Sequence, residues 1–217
     1  MQGYKRNQVE EAIFRTLGAQ GERVDELKFR LKRLLAADRE RGHTIDSSEE
    51  EDRHYAFYSQ EPPGSGTEVM FSEYEAFVLL AAIMLLEHGL PQGAVVRVLR
   101  QARRPFEAAH AESLRKDPKE LFDERAVRAQ AKPGMIATNN TDPIFLAFVR
   151  LTDSAVGDYK SGGAVAVCRG HVELGTFSRQ HSAPGMGMTV FEFVGPMHAM
   201  AWHLRQTRPI NRGRGAT

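Results

Sequence analysis

The apolar positions of this chain change period several times along its length. From 76 to 86 the run Ala76–Phe77–Val78–Leu79–Leu80–Ala81–Ala82–Ile83–Met84–Leu85–Leu86 has no polar side. A helix that is apolar all round must be buried, and one well short of the ~20 residues that cross a bilayer is a core helix. Its ends are marked as well. Ser72 followed by Glu75 is a capping-box pattern, in which each side chain satisfies an orphan backbone N–H, and Gly89 with Pro91 ends the helix. The rest of the chain has to cover this segment.

Two amphipathic patterns precede it. Val9, Ala12, Ile13, Thr16 and Leu17 share one face of a helix predicted over Arg6–Leu17, and Gly18 and Gly21 interrupt the pattern. Val24, Leu27, Leu31, Leu34 and Leu35 mark the inner stripe of a second helix, Arg23 to Arg39. At ~100° per residue, Lys28 and Lys32 fall on one shoulder of that stripe and Arg30 on the other, while Phe29 and Arg33 point away. An aromatic ring among four cations on an outer face invites a partner; a plain solvated face with one stray Phe is the competing reading.

Gly42 to Arg53 is polar and acidic, and is expected to be a loop or partly disordered linker. Tyr55–Tyr58 and Thr67–Phe71 are short aromatic or β-branched runs around a Pro/Gly turn, which predicts a β-hairpin tipped near Ser65. After the buried helix, Gln92 to Arg103 has Val95, Val96, Leu99 and Ala102 inward, with Arg97, Arg100, Arg103 and Arg104 expected outside or at the end. Pro105 is expected to break this helix. Phe106–Arg115 reads as helical, and Asp117–Pro118 restarts a charged helix that runs to Ala131. Beyond Met135 come strand-like runs at Ile144–Val149, Ala164–Cys168 and Thr189–Phe193, a Gly/Met loop at 184–188, and a last helix opened by Pro196. The fold class is therefore α+β: a mainly helical segment over 1–104, a helical connector over 105–134, and a small three-stranded unit with a basic tail over 135–217.

Composition narrows the class only slightly. The 217 residues are 41% hydrophobic and 26% charged, ordinary for a globular protein, and the formal net charge of +1 leaves recognition to local charge. The single cysteine, Cys168, excludes an internal disulfide, and the N-terminus has no apolar core of a signal peptide; a cytoplasmic location without membrane contact is expected.

The order over residues 1–104 is helix, turn, basic helix, aromatic hairpin, then a helix pair, and here the chain resembles the DNA-binding domain of the MerR family. Leu27–Lys28–Phe29–Arg30 is similar to the Leu-Arg-Tyr-Tyr core of that family's recognition helix. Thr67–Glu68–Val69–Met70–Phe71–Ser72–Glu73 is similar to the end of its wing, and Phe77 to Leu99 to its second helix pair. The turn between the first helices is longer and richer in glycine than in the family, an acidic insert separates helix from wing, and Pro105 and Pro118 cut the region of the family's dimerisation helix. The resemblance implies a transcriptional regulator that binds double-stranded DNA as a homodimer, with Lys28, Phe29, Arg30, Lys32 and Arg33 on the recognition helix and Ser65 on the wing. The C-terminal unit would then answer to a small-molecule or protein effector.

Other chemistries find little support. Cys168 and His171 stand three apart, on a strand end and the loop expected to follow it, without a second such pair, and His198 and His203 are five apart, so neither gives a metal-ligand spacing. No nucleophile elbow, paired carboxylates, phosphate loop or dinucleotide fingerprint occurs, so neither catalytic residues nor a cofactor are expected. Two alternatives stay open: an interaction module of the same fold anchored on Phe29 and Tyr55, and a ligand-binding protein or small enzyme centred on the C-terminal unit, where the Gly/Met loop could line a pocket.

Overall fold

The computed structural model describes residues 3–62, 68–150, 163–181 and 187–208. Strand β1 (Tyr4–Lys5) leads into α1 (Arg6–Thr16), followed by α2 (Glu22–Arg41) and the single turn α3 (Glu50–Arg53). Strand β2 (Met70–Phe71) precedes α4 (Glu73–Glu87) and α5 (Gln92–Ser113), and the short α6 (Pro118–Leu121) and α7 (Glu124–Gln130) come next. The chain continues through β3 (Ile144–Arg150), β4 (Val165–Arg169), α8 (Gly170–Gln180), β5 (Gly187–Glu192) and α9 (Val194–Gln206). The fold is α+β.

Helix α4 is the axis, as its all-apolar sequence requires: every residue from Tyr74 to Ile83, and Leu85, is buried. Its capping box forms. Ser72 Oγ accepts from the Glu75 N–H at 3.1 Å, and Glu75 Oε2 accepts from the Ser72 N–H at 2.6 Å. At the other end Gly89 takes φ 86°, a left-handed value that favours glycine, and the helix stops. Helices α2, α5 and α9 cover α4. At its middle Phe77, Phe106 and Phe193 form a triangle of rings with centroids 5.2, 5.3 and 5.8 Å apart.

The first and last helices of the described residues meet on this core. Helix α1 packs chiefly on α9, with the Gln8 amide donating to the Thr207 carbonyl at 3.3 Å, and a single apolar cluster includes residues from Tyr4 to Leu204. The three-stranded sheet has the order β4-β3-β5, antiparallel throughout, with Phe145 opposite both Cys168 and Glu192. Strand alternation gives it two apolar faces. Ile144, Leu146 and Phe148 join the main core, while Phe145, Ala147 and Val149 meet Leu174 and Phe177 of α8.

Several sequence expectations are corrected. First, Tyr55–Tyr58 is not a strand but a buried irregular segment, and β2 pairs with β1 (Tyr4 opposite Phe71) rather than closing a hairpin. The wing tip, including Ser65, lies outside the described residues. Second, Pro105 does not break its helix: α5 runs unbroken to Ser113, because Leu99, Ala102, Phe106 and Ala109 hold both halves on the core while the proline ring faces outward. Third, the segment after Cys168 forms a helix, α8, in place of the expected loop. Fourth, Arg100 and Arg103 are buried rather than external, with Arg100 fully inaccessible. The Asp117–Pro118 restart does form, with Asp117 Oδ1 accepting from the Lys119 N–H at 2.9 Å, but Asp123 caps a second start and splits the expected helix in two.

Those arginines organise the acidic segment. Arg100 donates to Asp38 Oδ1 at 2.6 Å and to the carbonyls of Asp38, Gly42 and Glu51 at 2.6, 2.7 and 3.3 Å. Asp38 in turn accepts from the N–H groups of Ala56 and Phe57, both at 3.0 Å. Arg103 donates to the carbonyls of Tyr55 and Ala56 at 2.7 and 2.9 Å, and Glu75 accepts from the Ser59 N–H. Residues 42–59 therefore form a packed strap over α2 and α5, with the turn α3, rather than the expected loop or disordered linker, and side chains satisfy much of its backbone in place of a strand ladder. Three of its carboxylates are matched as well: Arg41 reaches Glu51 and Asp52, and Arg97 and Arg104 lie 3.7 Å from Glu51 and Glu50.

Candidate nucleic-acid interface

The outer face of α2 follows from how the helix is held. Leu27, Leu31, Leu34 and Leu35 are buried, so the residues between them must point outward. Its 20 residues make a rod of ~30 Å, and glycines at φ 56° (Gly21) and 66° (Gly42) turn the chain sharply at each end. Lys28, Phe29, Lys32 and Arg33 are exposed and Arg30 is half-buried. Phe29 keeps 59% of its surface in water, and the Arg33 guanidinium carbon sits 5.7 Å from its ring centroid. The Gln92 amide donates to the Arg33 carbonyl at 3.1 Å, which ties the start of α5 to this part of α2.

The cations differ in how far they are already satisfied. Lys28 pairs with Asp25 at 3.1 Å, one turn earlier, and Arg30 pairs with Glu26. Lys32 and Arg33 have no carboxylate partner among the described residues. The surplus positive charge of this face is therefore carried by Lys32 and Arg33. Exposed helix pairs such as Lys28–Asp25 are worth only about 0.3–0.5 kcal/mol, so a phosphate can displace the aspartate readily. Lys28, Phe29, Lys32 and Arg33 thus stand together on one accessible face, while the half-buried Arg30 lies on the other shoulder of the helix.

Tyr55, the other anchor of the interaction-module alternative, is 6% exposed and faces Arg100 at 5.4 Å, so it offers no surface to a partner. Of the Gly/Met loop, residues 184–186 lie outside the described residues, while Gly187 and Met188 open β5. Cys168 is buried in β4, where burial pushes its thiol up to about 11, and His171 Nε2 donates to the Ile136 carbonyl at 2.8 Å. Among the described residues no group of three or more His, Cys, Asp or Glu is placed to hold a metal ion. No helix of the described residues is long and apolar enough to cross a membrane.

A second polar locus lies on α5, away from that face, and sequence reasoning did not single it out. His110 is buried, stacked on Phe77 at 5.0 Å and set edge-on to Tyr74 at 5.7 Å, and its Nε2 has no hydrogen-bond partner among the described residues. Burial, with His198 nearby, pulls its pKa down to about 4. It borders a cleft of about 610 Å³ whose polar wall includes Glu107, Arg115 and an Arg205–Glu73 pair at 3.3 Å. A helical register carried through Pro105 was the signal that would have placed His110 inside, in line with Arg103 and Phe106. Compared with protein-family models, curated proteins and solved structures, the chain finds no match in any of the three.

Proposed function

We propose that this chain is a DNA-binding transcriptional regulator that sets the outer face of α2 against duplex phosphates. The observation that carries the reading is the pairing of Lys32 and Arg33, both exposed and without carboxylate partners among the described residues, on a helix whose opposite side is fixed by buried leucines. A helix of this length can enter a major groove or lie along the backbone, and cations on it displace condensed counterions. The acidic strap opposes this less than its composition implies, since Arg41, Arg97 and Arg104 pair its Glu50, Glu51 and Asp52. The reading rests on the helix without help from a hairpin wing, because Tyr55–Tyr58 is buried. A homodimer would offer two such helices, with the C-terminal sheet unit as the seat of an effector.

Two variants test the surface. Lys32→Ala and Arg33→Ala are each expected to weaken binding to any duplex and to lower the slope of log K against log salt by about 1, with the melting temperature unchanged because both side chains are exposed. Fluorescence anisotropy across a salt series reads both quantities. Duplex affinity that is unaltered in both variants would remove α2 from the interface. A tighter constant on the gene's own upstream fragment than on unrelated DNA would make the protein a regulator.

A further inference from the structure

The ring of Phe29 is the least expected group on this face, since a phosphate surface has no use for it. Phenylalanine lacks a hydroxyl and cannot donate to a phosphate oxygen, so whatever it adds on binding is apolar contact. It is nevertheless 59% exposed at the centre of the cationic patch, with Lys28 and Lys32 beside it. Arg33, one turn on, lies 5.7 Å from its centroid, so the ring and the surplus charge present themselves together. Leu27 and Leu31, at 1% and 2% exposure, fix the backbone on either side and keep the ring from turning inward. In the major groove, the one apolar projection that distinguishes a base is the C5-methyl group of thymine.

We propose that Phe29 is a specificity-determining residue that reads thymine through its C5-methyl group, while Lys32 and Arg33 hold the adjacent phosphates. This rests on the duplex-binding reading above and adds a base preference to it. The same ring could instead serve as a stacking platform for unpaired bases. The surrounding point charges, spread along a straight helix rather than lining a groove, favour the duplex.

The test uses the full chain and three probes at low salt: an A·T-rich duplex, the same duplex with every thymine replaced by uracil, and its single strand. Anisotropy is expected to give about fourfold weaker binding to the uracil duplex, the contribution of one buried methyl-sized group. Phe29→Ala is expected to bind the two duplexes equally while keeping the salt slope of the wild type. Equal binding of both duplexes by the wild type would overturn the proposal and leave the phosphate-binding reading standing. A preference that persists undiminished in Phe29→Ala would overturn it too, since the difference would then come from groove shape. Tighter binding to the single strand would assign the ring to base stacking and overturn it. Absence of any duplex binding would remove both the proposal and the reading beneath it.

Discussion

Replacing Arg100 by alanine is expected to destabilise the protein by about 3–5 kcal/mol, the loss found when one partner of a buried ion pair is removed. Both members of the Arg100–Asp38 pair are fully inaccessible, 2.6 Å apart, so the variant would leave the Asp38 carboxyl without its cationic partner inside the protein. For a chain of this size the loss corresponds to a fall of roughly 10 °C in Tm, readable by calorimetry or denaturant titration. Arg100→Met, which keeps much of the stem but not the charge, should fall nearly as far. Many buried pairs can be exchanged for apolar residues at little loss, but this one is bound into the backbone. Asp38 also holds the N–H groups of Ala56 and Phe57, and Arg100 holds three carbonyls. An Arg100→Met/Asp38→Leu double variant is therefore expected to be no more stable than Arg100→Met, because those main-chain groups would lose their partners. A stability change below about 1 kcal/mol in Arg100→Ala would contradict the assignment of Arg100 as the clamp of the strap.

The second large effect is on pH. His110 has a folded-state pKa of about 4, depressed first by burial and then by His198, against an ordinary value of 6.5. Between those values the unfolded chain binds a proton that the folded chain refuses, so stability falls as pH drops from 6.5 toward 4 and levels off below. The gap between the two values corresponds to a full loss of about 3 kcal/mol. His198, also depressed by its burial, acts in the same direction. His110→Phe removes the titration while keeping a ring stacked on Phe77. Its melting temperature at pH 7 should match or exceed the wild type, and its decline over the acid range between the two pKa values should be much shallower. An acid profile as steep as the wild type's would show that other groups dominate.

What could be read from the sequence was what depends on near neighbours. The α4 segment is buried whatever the fold because it has no polar side, and its Ser72–Glu75 box spans only four positions. The outward placement of Lys28, Phe29, Lys32 and Arg33 follows from a leucine stripe on the same helix. What could not be read depended on distant partners. Arg100 looks like a surface residue until Asp38, 62 residues earlier, is placed beside it. Tyr55–Tyr58 has the composition of a strand, yet its main-chain groups bond to the side chains of Asp38 and Arg103. Strand β2 found its partner at the N-terminus rather than nearby. The proline at 105 has a strong local preference to end a helix, and it was overruled by apolar contacts on both sides of it. Helix α8, with glycine at 170 and 175, has weak intrinsic propensity and forms against the sheet face it covers.

The most direct measurement is anisotropy of the wild-type chain with duplex DNA across a salt series, including the gene's own upstream fragment. With Lys32 and Arg33 as the surplus cations and Lys28 recruitable from Asp25, the expected slope of log K against log salt is about −2 to −3 for each copy bound. Binding that tightens steadily as salt is lowered, with that slope, is the predicted result. No binding at the lowest salt, or binding whose strength is indifferent to salt, would contradict a phosphate-contacting face on α2.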